Sequence, residues 1–333
     1  MSAEELNDTL PEQEQVQALD EQPQEPKPEQ PQEAKPPKKG MSSGLKRLIT
    51  GALLAGIMAV FLLVLRPIFV QAMDIIAMIF LVAGGLEMRR ALKAGGHQVM
   101  LVPLIVFDVV VYPLFWFFHT EGIMLAFALA SVVTLVIFTF KHTYSLHDAG
   151  FTVFTLAYPS VFVAMIMAVN LYAGNLLALF MMIVVPLASD ACAYFVGSIF
   201  GKHKLCPTIS PKKSVEGLFG GIAGALIAGA AFLLLFDVFH VFDKTPNVGL
   251  THLSTHLWVS ILLYALLSVL CMLSGMVGDL VASWIKRQVG IKDYGRIFPG
   301  HGGVMDRMDS VIFSMPAIYI FFVIYNAIAG ALA

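Results

Sequence analysis

Residues 257–282 read LWVSILLYALLSVLCMLSGMVGDLVA, a run of 26 residues whose only charge is Asp279. An apolar stretch of this length is typical of a transmembrane helix, because about 20 residues cross the hydrocarbon layer. The segment that follows, 283–309, holds five basic residues, three acids and a histidine before the chain becomes apolar again. The pattern predicts a membrane helix that ends in a densely charged segment at the membrane surface.

The composition extends this prediction to the whole chain. Of 333 residues, 58% are hydrophobic and 13% are charged, whereas soluble domains have about 45–50% and about 25%. Lipid offers no partners for unpaired backbone groups, so the apolar segments should all be helices. We therefore expect an all-α, polytopic membrane protein with about nine transmembrane helices, at 48–65, 68–86, 97–118, 123–140, 149–173, 175–199, 217–237, 257–282 and 310–331. A tight turn at Arg66-Pro67 should separate the first two.

The N-terminal residues have a different character. Residues 1–44 are rich in Pro, Glu and Gln and hold ten acids and four bases. Such a segment buries too little apolar surface to offset its ordering entropy, which predicts a disordered cytoplasmic tail before a transmembrane domain at 45–333. The first apolar run begins near Leu48, too late for a cleavable secretory signal. The three cysteines form no C-x-x-C pair, which argues against a zinc or disulfide framework.

The distribution of Lys and Arg sets the orientation. With the N-terminus in the cytoplasm, 19 of the 21 basic residues face the cytoplasm, and only Arg66 and Lys244 fall outside. This agrees with the positive-inside rule. Segments 200–216 and 283–309 then both lie on the cytoplasmic side, and each follows a helix with an intramembrane acid, Asp190 or Asp279. They predict an electropositive pocket edged by carboxylates at the membrane surface.

Four residues at and just after the end of 257–282 share a helix face if the helix continues past the membrane. Asp279, Ser283 and the pair Lys286/Arg287 are spaced i, i+4 and i+7/i+8. A charge at the end of an apolar span is usually functional or paired. The two readings for Asp279 are a functional carboxylate and a structural ion pair with a nearby arginine.

Asp306 and Asp309 stand where the last helix should begin. Acids there can cap the helix and favour its dipole. They can equally be magnesium ligands, since Mg²⁺ takes few carboxylates together with substrate phosphates. The preceding His301-Gly-Gly run lets backbone approach a ligand closely, and spacing alone leaves both readings open.

The basic residues of the two segments suit a polyanion. Positive-inside topology signals and contacts with lipid headgroups explain most basic residues next to the membrane. They explain Lys212, Lys213 and Lys292 less well, because these lysines lie among Pro and Gly in loops. Asp190 adds a carboxylate on the same side. The Gly220-x3-Gly224 pair indicates close helix packing rather than a nucleotide loop, because no strand precedes it.

Segment 283–309 resembles the signature of phosphatidate cytidylyltransferases (CDP-diacylglycerol synthases). These are polytopic membrane enzymes that use CTP and phosphatidic acid. Every position of that signature is present in 283–309: Ser283, Lys286-Arg287, Lys292-Asp293, Gly295, His301-Gly-Gly303, Asp306-Arg307 and Asp309. A second stretch, from Gly201-Lys-His203 to Ser210-Pro-Lys-Lys213 and Glu216-Gly217, resembles the family's other cytoplasmic motif. Three positions depart from the pattern: Ala191 replaces a common hydroxyl residue, and Ser214-Val215 replaces a frequent Thr-Trp.

The resemblance implies the chemistry. It implies Mg²⁺ held by Asp279 and Asp306, allows a second, monovalent cation such as K⁺, and implies a homodimer in a bacterial inner membrane with its active site facing the cytoplasm and no nucleic-acid partner. Phosphatidic acid would attack the α-phosphorus of CTP. The expected catalytic residues are Asp279, Asp306, Lys292, Ser283 and His301, and the expected substrate-binding residues are Lys212, Lys213, Lys286, Arg287, Arg307, Asp190 and Ser210.

Two other functions are alternatives to this one. A CTP-dependent lipid-alcohol kinase would transfer the γ-phosphate and release CDP. A membrane transporter would use intramembrane acids for coupling ions, but the sequence lacks the paired, Gly/Pro-broken helices in matching halves that such proteins have.

Overall fold

The structure is a computed structural model, and it describes residues 56–172, 175–250, 252–298 and 302–332. The tail predicted at 1–44 and the start of the first apolar segment lie outside these residues. The described residues form helices and one short hairpin of strands, which confirms the all-α class. The helices are α1 (Gly56–Ile68), α2 (Ala72–Ala94), α3 (Leu101–Phe140), α4 (Leu146–Leu171), α5 (Asn175–Phe200), α6 (Val215–Val238), α7 (Leu257–Gln288) and α8 (Met305–Leu332).

Six of these helices, α3 to α8, are long and apolar enough to cross a membrane. The protein is therefore polytopic, although the described residues do not establish nine spans. Helix α3 has 40 residues, about 60 Å if straight, which is twice the hydrocarbon thickness. It breaks at His119 (φ 55°, ψ −133°), and a Cβ on Gly122 would overlap the Leu114 carbonyl eight residues earlier. The chain folds back sharply there, in the gap predicted between 97–118 and 123–140.

The turn predicted at Arg66-Pro67 was wrong by a few residues. Both residues are helical, and the chain turns instead between Ile68 and Ala72. A proline ring clashes with the carbonyl of the preceding turn in a regular helix. Here the preceding turn is a wider π-helix, Phe61–Leu65, which accommodates Pro67. Buried Arg66 then donates from Nε to Asn170 Oδ1 (3.1 Å) and ties α1 to α4.

Glycines set the close packing of α5 against α6. A Cβ on Gly220 would overlap the Val196 side chain, and one on Gly224 would overlap Cys192. This confirms that the Gly220-x3-Gly224 pair packs helices. Between the two helices, β1 (Lys204–Cys206) pairs antiparallel with β2 (Ser210–Ser214). The Ser214 hydroxyl accepts from the Gly217 amide (3.1 Å) and caps α6, so the lysines of β2 lie directly before the helix.

Helices α7 and α8 position the second charged segment. Helix α7 continues to Gln288 rather than ending at 282, so Asp279, Ser283 and Lys286 do share one helix. Helix α8 begins at Met305, five residues earlier than predicted, and its first turn includes Asp306. Close contact of the helices follows from Gly278, where a Cβ would overlap the Asp309 carbonyl oxygen.

Candidate functional site

Asp279 lies where the hairpin meets α7. Its Oδ2 contacts the Lys213 ammonium at 2.7 Å, and its Oδ1 accepts from the Ser283 hydroxyl at 3.3 Å, one helical turn later. About a quarter of each charged side chain is exposed. The structure thus joins segments 200–216 and 283–309 through this ion pair. The partner is a lysine from a distant strand rather than an arginine.

Two further carboxylates approach Asp279 from neighbouring helices. Asp190, on α5, accepts from the Ser310 hydroxyl of α8 at 3.1 Å. Asp309 directly precedes Ser310, and its backbone touches α7 at Gly278, next to Asp279. Three helices therefore bring three carboxylates together beside the lysine-bearing hairpin.

Asp306 has a more enclosed environment. Its Oδ1 contacts the Lys286 ammonium (2.8 Å), and its Oδ2 accepts from the Tyr294 and Gly303 amides (2.8 and 3.0 Å). The Lys286 ammonium also lies over the Tyr294 ring, 5.3 Å from its centre. The Tyr294 hydroxyl donates to the Ala282 carbonyl (2.9 Å), and burial raises the pKa of this phenol. Asp306 thus fixes the segment between α7 and α8 against α7.

Glu87 is an organising residue that the sequence analysis missed. It is fully buried about two turns before the end of α2 and accepts from the Val304 and Met305 amides (3.1 and 2.9 Å) at the start of α8. A Cβ on Gly295 or Gly303 would overlap its carboxylate. These glycines therefore let the backbone approach Glu87 closely, and not only a ligand. The available signal was an acid between apolar residues and the Arg89-Arg90 pair.

The remaining predicted residues divide between two cavities and the surface. A cavity of about 590 Å³ is lined by Asp190, Lys212, Lys213 and Asp279, together with Lys204 and Ser214. Arg307 instead borders a separate, apolar cavity of about 350 Å³. Among the residues that the structure describes, six predicted ones line neither cavity. They are Asp306, Ser283 and Lys286, whose contacts are given above, half-buried Ser210, and exposed Arg287 and Lys292. His301 lies outside the described residues.

The site suits a hard cation and a polyanion. Its donors are carboxylate oxygens, which Mg²⁺ prefers. Asp279 and Asp306 each already meet an ammonium group, Lys213 and Lys286, so both positions accept positive charge in this structure. The residues present therefore fit magnesium, and the exposed lysines of the larger cavity suit phosphate groups.

Comparison with known proteins agrees with this geometry. The model of the cytidylyltransferase family matches residues 45–325. A phosphatidate cytidylyltransferase of Bacillus subtilis is 33% identical over 289 residues, which cover 84% of this chain and 98% of that protein. A phosphatidate cytidylyltransferase of Mycobacterium leprae is 36% identical over 247 residues, 68% of this chain and 72% of its own.

Proposed function

Because this chain belongs to the cytidylyltransferase family, we propose that it is a phosphatidate cytidylyltransferase. The reaction converts CTP and phosphatidic acid to CDP-diacylglycerol and pyrophosphate. The observation that carries the proposal is the Asp279–Lys213 pair, which joins the two charged segments at the larger cavity. The similarity to the Bacillus subtilis protein over nearly its whole length supports the same activity.

The larger cavity is the proposed CTP site. Its volume lies in the range of small-molecule sites. Lys204, Lys212 and Lys213 supply positive charge to its wall, and Asp190 and Asp279 supply carboxylate oxygens. A triphosphate brings its charge to this surface, and charge-assisted hydrogen bonds from lysine would hold it.

The smaller cavity is the proposed site for an acyl chain of phosphatidic acid. Its wall is formed by apolar side chains of α1, α2, α4, α5 and α8, among them Met58, Met73, Met182 and Met308. Arg307 is the charged residue at this cavity. A lipid phosphate at Arg307 could keep its chains in the apolar space and face the first turn of α8.

The transfer needs positioning and neutralisation of charge more than proton abstraction. A phosphate oxygen of phosphatidic acid forms the bond to the α-phosphorus of CTP, and the bond to the bridging oxygen breaks as pyrophosphate leaves. The attacking oxygen is already anionic near neutral pH, so lysines and arginine that hold the phosphates in line are the main requirement. We assign this role to Lys212, Lys213, Lys286, Arg287 and Arg307, with Lys292, Ser283, Ser210 and His301 as further contacts.

Asp279 and Asp306 are the proposed magnesium ligands. When bound, the ion would supply neutralisation of charge on phosphate oxygens. Lys213 and Lys286 would then leave these carboxylates for substrate phosphates. Asp190 and Asp309 are the proposed partners of a second, monovalent cation such as K⁺.

We place the site at the cytoplasmic face of a bacterial inner membrane. The support is the 19-to-2 distribution of basic residues. Homodimer formation, implied by the family resemblance, is a further prediction that the mass of the detergent-solubilised particle tests.

The test is the fate of labelled CTP. Purified full-length protein is incubated with phosphatidic acid, Mg²⁺ and CTP labelled in the cytidine ring, and lipid-soluble label and pyrophosphate are measured. Equal amounts of both are expected. A parallel reaction supplies a lipid alcohol in place of phosphatidic acid and CTP labelled at the γ-phosphate. Entry of that label into lipid with release of CDP would instead identify a kinase, and absence of product in both reactions with folded protein would contradict both enzymes.

A further inference from the structure

A histidine-rich cluster lies far from the candidate active site, in the connection between α6 and α7. It consists of His240, Asp243 and His252, all exposed, whose nearest ligand atoms all lie within 4.8 Å of one another. Helix α6 starts beside the hairpin and is 24 residues long, about 36 Å. The cluster therefore lies at the opposite membrane face from Asp279. We propose that it is a binding site for a transition-metal dication of the Zn²⁺ type.

The set of donors selects the class of metal. Two imidazoles and one carboxylate are typical ligands of Zn²⁺ and its neighbours, whereas Mg²⁺ and Ca²⁺ prefer oxygen donors alone. Three protein ligands leave a fourth tetrahedral position for water. The chemistry thus differs from that of the carboxylate site at the other face.

The distances suit a tetrahedral ion. With bonds of about 2.0–2.2 Å to nitrogen and oxygen, two ligands of a zinc tetrahedron lie about 3.4 Å apart. His240 Nδ1 and Asp243 Oδ2 are 3.3 Å apart. The His252 ring stands nearly perpendicular to that of His240, with centres 6.1 Å apart. The ligand atom of His252 lies within 4.8 Å of those of His240 and Asp243, so all three residues are near enough to share one ion.

The backbone holds both sides of the cluster. The Asp243 amide donates to the His240 carbonyl (3.3 Å), and His240 has a left-handed φ of 51°. On the other side, the Leu253 amide next to His252 donates to Asp237 Oδ2 at 3.3 Å. Asp237 itself lies three residues before His240. One carboxylate therefore links the two stretches that supply the ligands, which lowers the ordering cost of binding a metal.

The experiment uses tag-free, full-length protein in detergent after removal of metals with a chelator. Co²⁺ is titrated as a spectroscopic probe, and Zn²⁺ and Mg²⁺ are added as competitors. We expect the visible absorption of a four-coordinate Co²⁺ ion at one equivalent, its loss on addition of Zn²⁺, and no loss with excess Mg²⁺. Absence of this spectrum, or displacement of Co²⁺ by Mg²⁺, would overturn the proposal.

Variants locate the site. His240→Ala and His252→Ala should each weaken Co²⁺ binding at least about 10-fold, and Asp243→Asn should weaken it while conserving shape. His256→Ala, an exposed histidine of the same connection, is the matched control and should bind as wild type does. His203→Ala tests the other histidine–acid pair, His203 with Glu216 (2.7 Å), and should also bind normally. Unchanged binding in His240→Ala, His252→Ala and Asp243→Asn, or loss confined to His203→Ala, would refute the assignment.

Thermal unfolding gives a second readout. Zn²⁺ should raise the melting temperature of wild type and of His256→Ala, because a ligand that binds the native state stabilises it. It should not raise that of His240→Ala. An equal rise in all three proteins would contradict a site at this cluster.

Discussion

The two ends of α7 each lie beside an aspartate, and the two carboxylates are satisfied in different ways. At one end, Asp237 accepts from the Leu253 amide and from the hydroxyls of Ser260 and Tyr264. At the other, Asp279 meets the Lys213 ammonium and one hydroxyl beside a cavity. Fixed neutral donors around a carboxylate stabilise a fold. A flexible lysine can leave its carboxylate for a phosphate, so the second arrangement is the one suited to catalysis.

The largest expected effect comes from removing the negative charge of Asp279. Asp279→Asn should lower turnover of CTP at least about 100-fold, as does loss of a group that stabilises charge in a transition state. The measurement is CDP-diacylglycerol formation per mole of folded protein at saturating Mg²⁺.

Asp237→Asn is the matched control at the other end. It should lower the melting temperature, because a partly buried hydrogen-bond network loses a charged acceptor, while turnover per folded molecule stays normal. The comparison fails if Asp279→Asn keeps full activity, or if Asp237→Asn abolishes activity in protein that remains folded.

The second prediction distinguishes the role of Asp306 from that of Asp279, the aspartate beside the larger cavity. Asp306 accepts from two backbone amides as well as from Lys286, whereas Asp279 accepts from side chains. Asp306→Asn should therefore lose activity and also lower the melting temperature, while Asp279→Asn loses activity with little change in melting. Equal melting temperatures in the two variants would show that the bonds of Asp306 to the Tyr294 and Gly303 amides do not stabilise the fold.

The sequence predicted the parts of this picture that depend on composition and local spacing. Apolar length gave the helices, and Gly220-x3-Gly224 gave the packing of α5 on α6. Helical spacing placed Ser283 one turn from Asp279. These features need only residues near one another in the chain, so one sequence contains the information.

Long-range partners were not predictable in this way. Glu87 meets Val304 and Met305 more than 200 residues later, and nothing local to either stretch indicates the other. Lys213 of β2 pairs with Asp279 of α7, and the whole of α6 separates them in the chain. The Arg66-Pro67 turn was misplaced because a π-helical turn, which has no simple sequence signal, relieves the proline clash.

Glu87 offers the third prediction, of intermediate size. Glu87→Gln conserves the shape of the side chain but replaces one carboxylate oxygen by an NH2 group, which cannot accept from a backbone amide. It should therefore destabilise the start of α8 by about 1–3 kcal/mol. We expect a lower melting temperature and a several-fold loss of activity, because Asp306 lies in the same helical turn.

Glu121→Gln is the control, since Glu121 is exposed on α3. It should change neither property. Normal melting and activity in Glu87→Gln would mean that Glu87 does not position the active end.

The smallest effect concerns Tyr294, which fastens the same segment to α7 through its bond to Ala282. Tyr294→Phe should lower the free energy of unfolding by about 1 kcal/mol and leave most activity.

Burial raises the pKa of the Tyr294 phenol above its usual value. The folded protein therefore keeps the phenol neutral at pH values where the unfolded chain ionises it, above about pH 10. Its contribution to stability is therefore constant below about pH 10 and declines above. The difference in melting temperature between wild type and Tyr294→Phe should accordingly stay level from about pH 7 to about pH 9 and narrow toward about pH 11. A difference that widens over the alkaline range would mean that the folded protein favours the ionised phenol. The segment that Asp306 holds would then stabilise a negative charge on Tyr294 instead of excluding it.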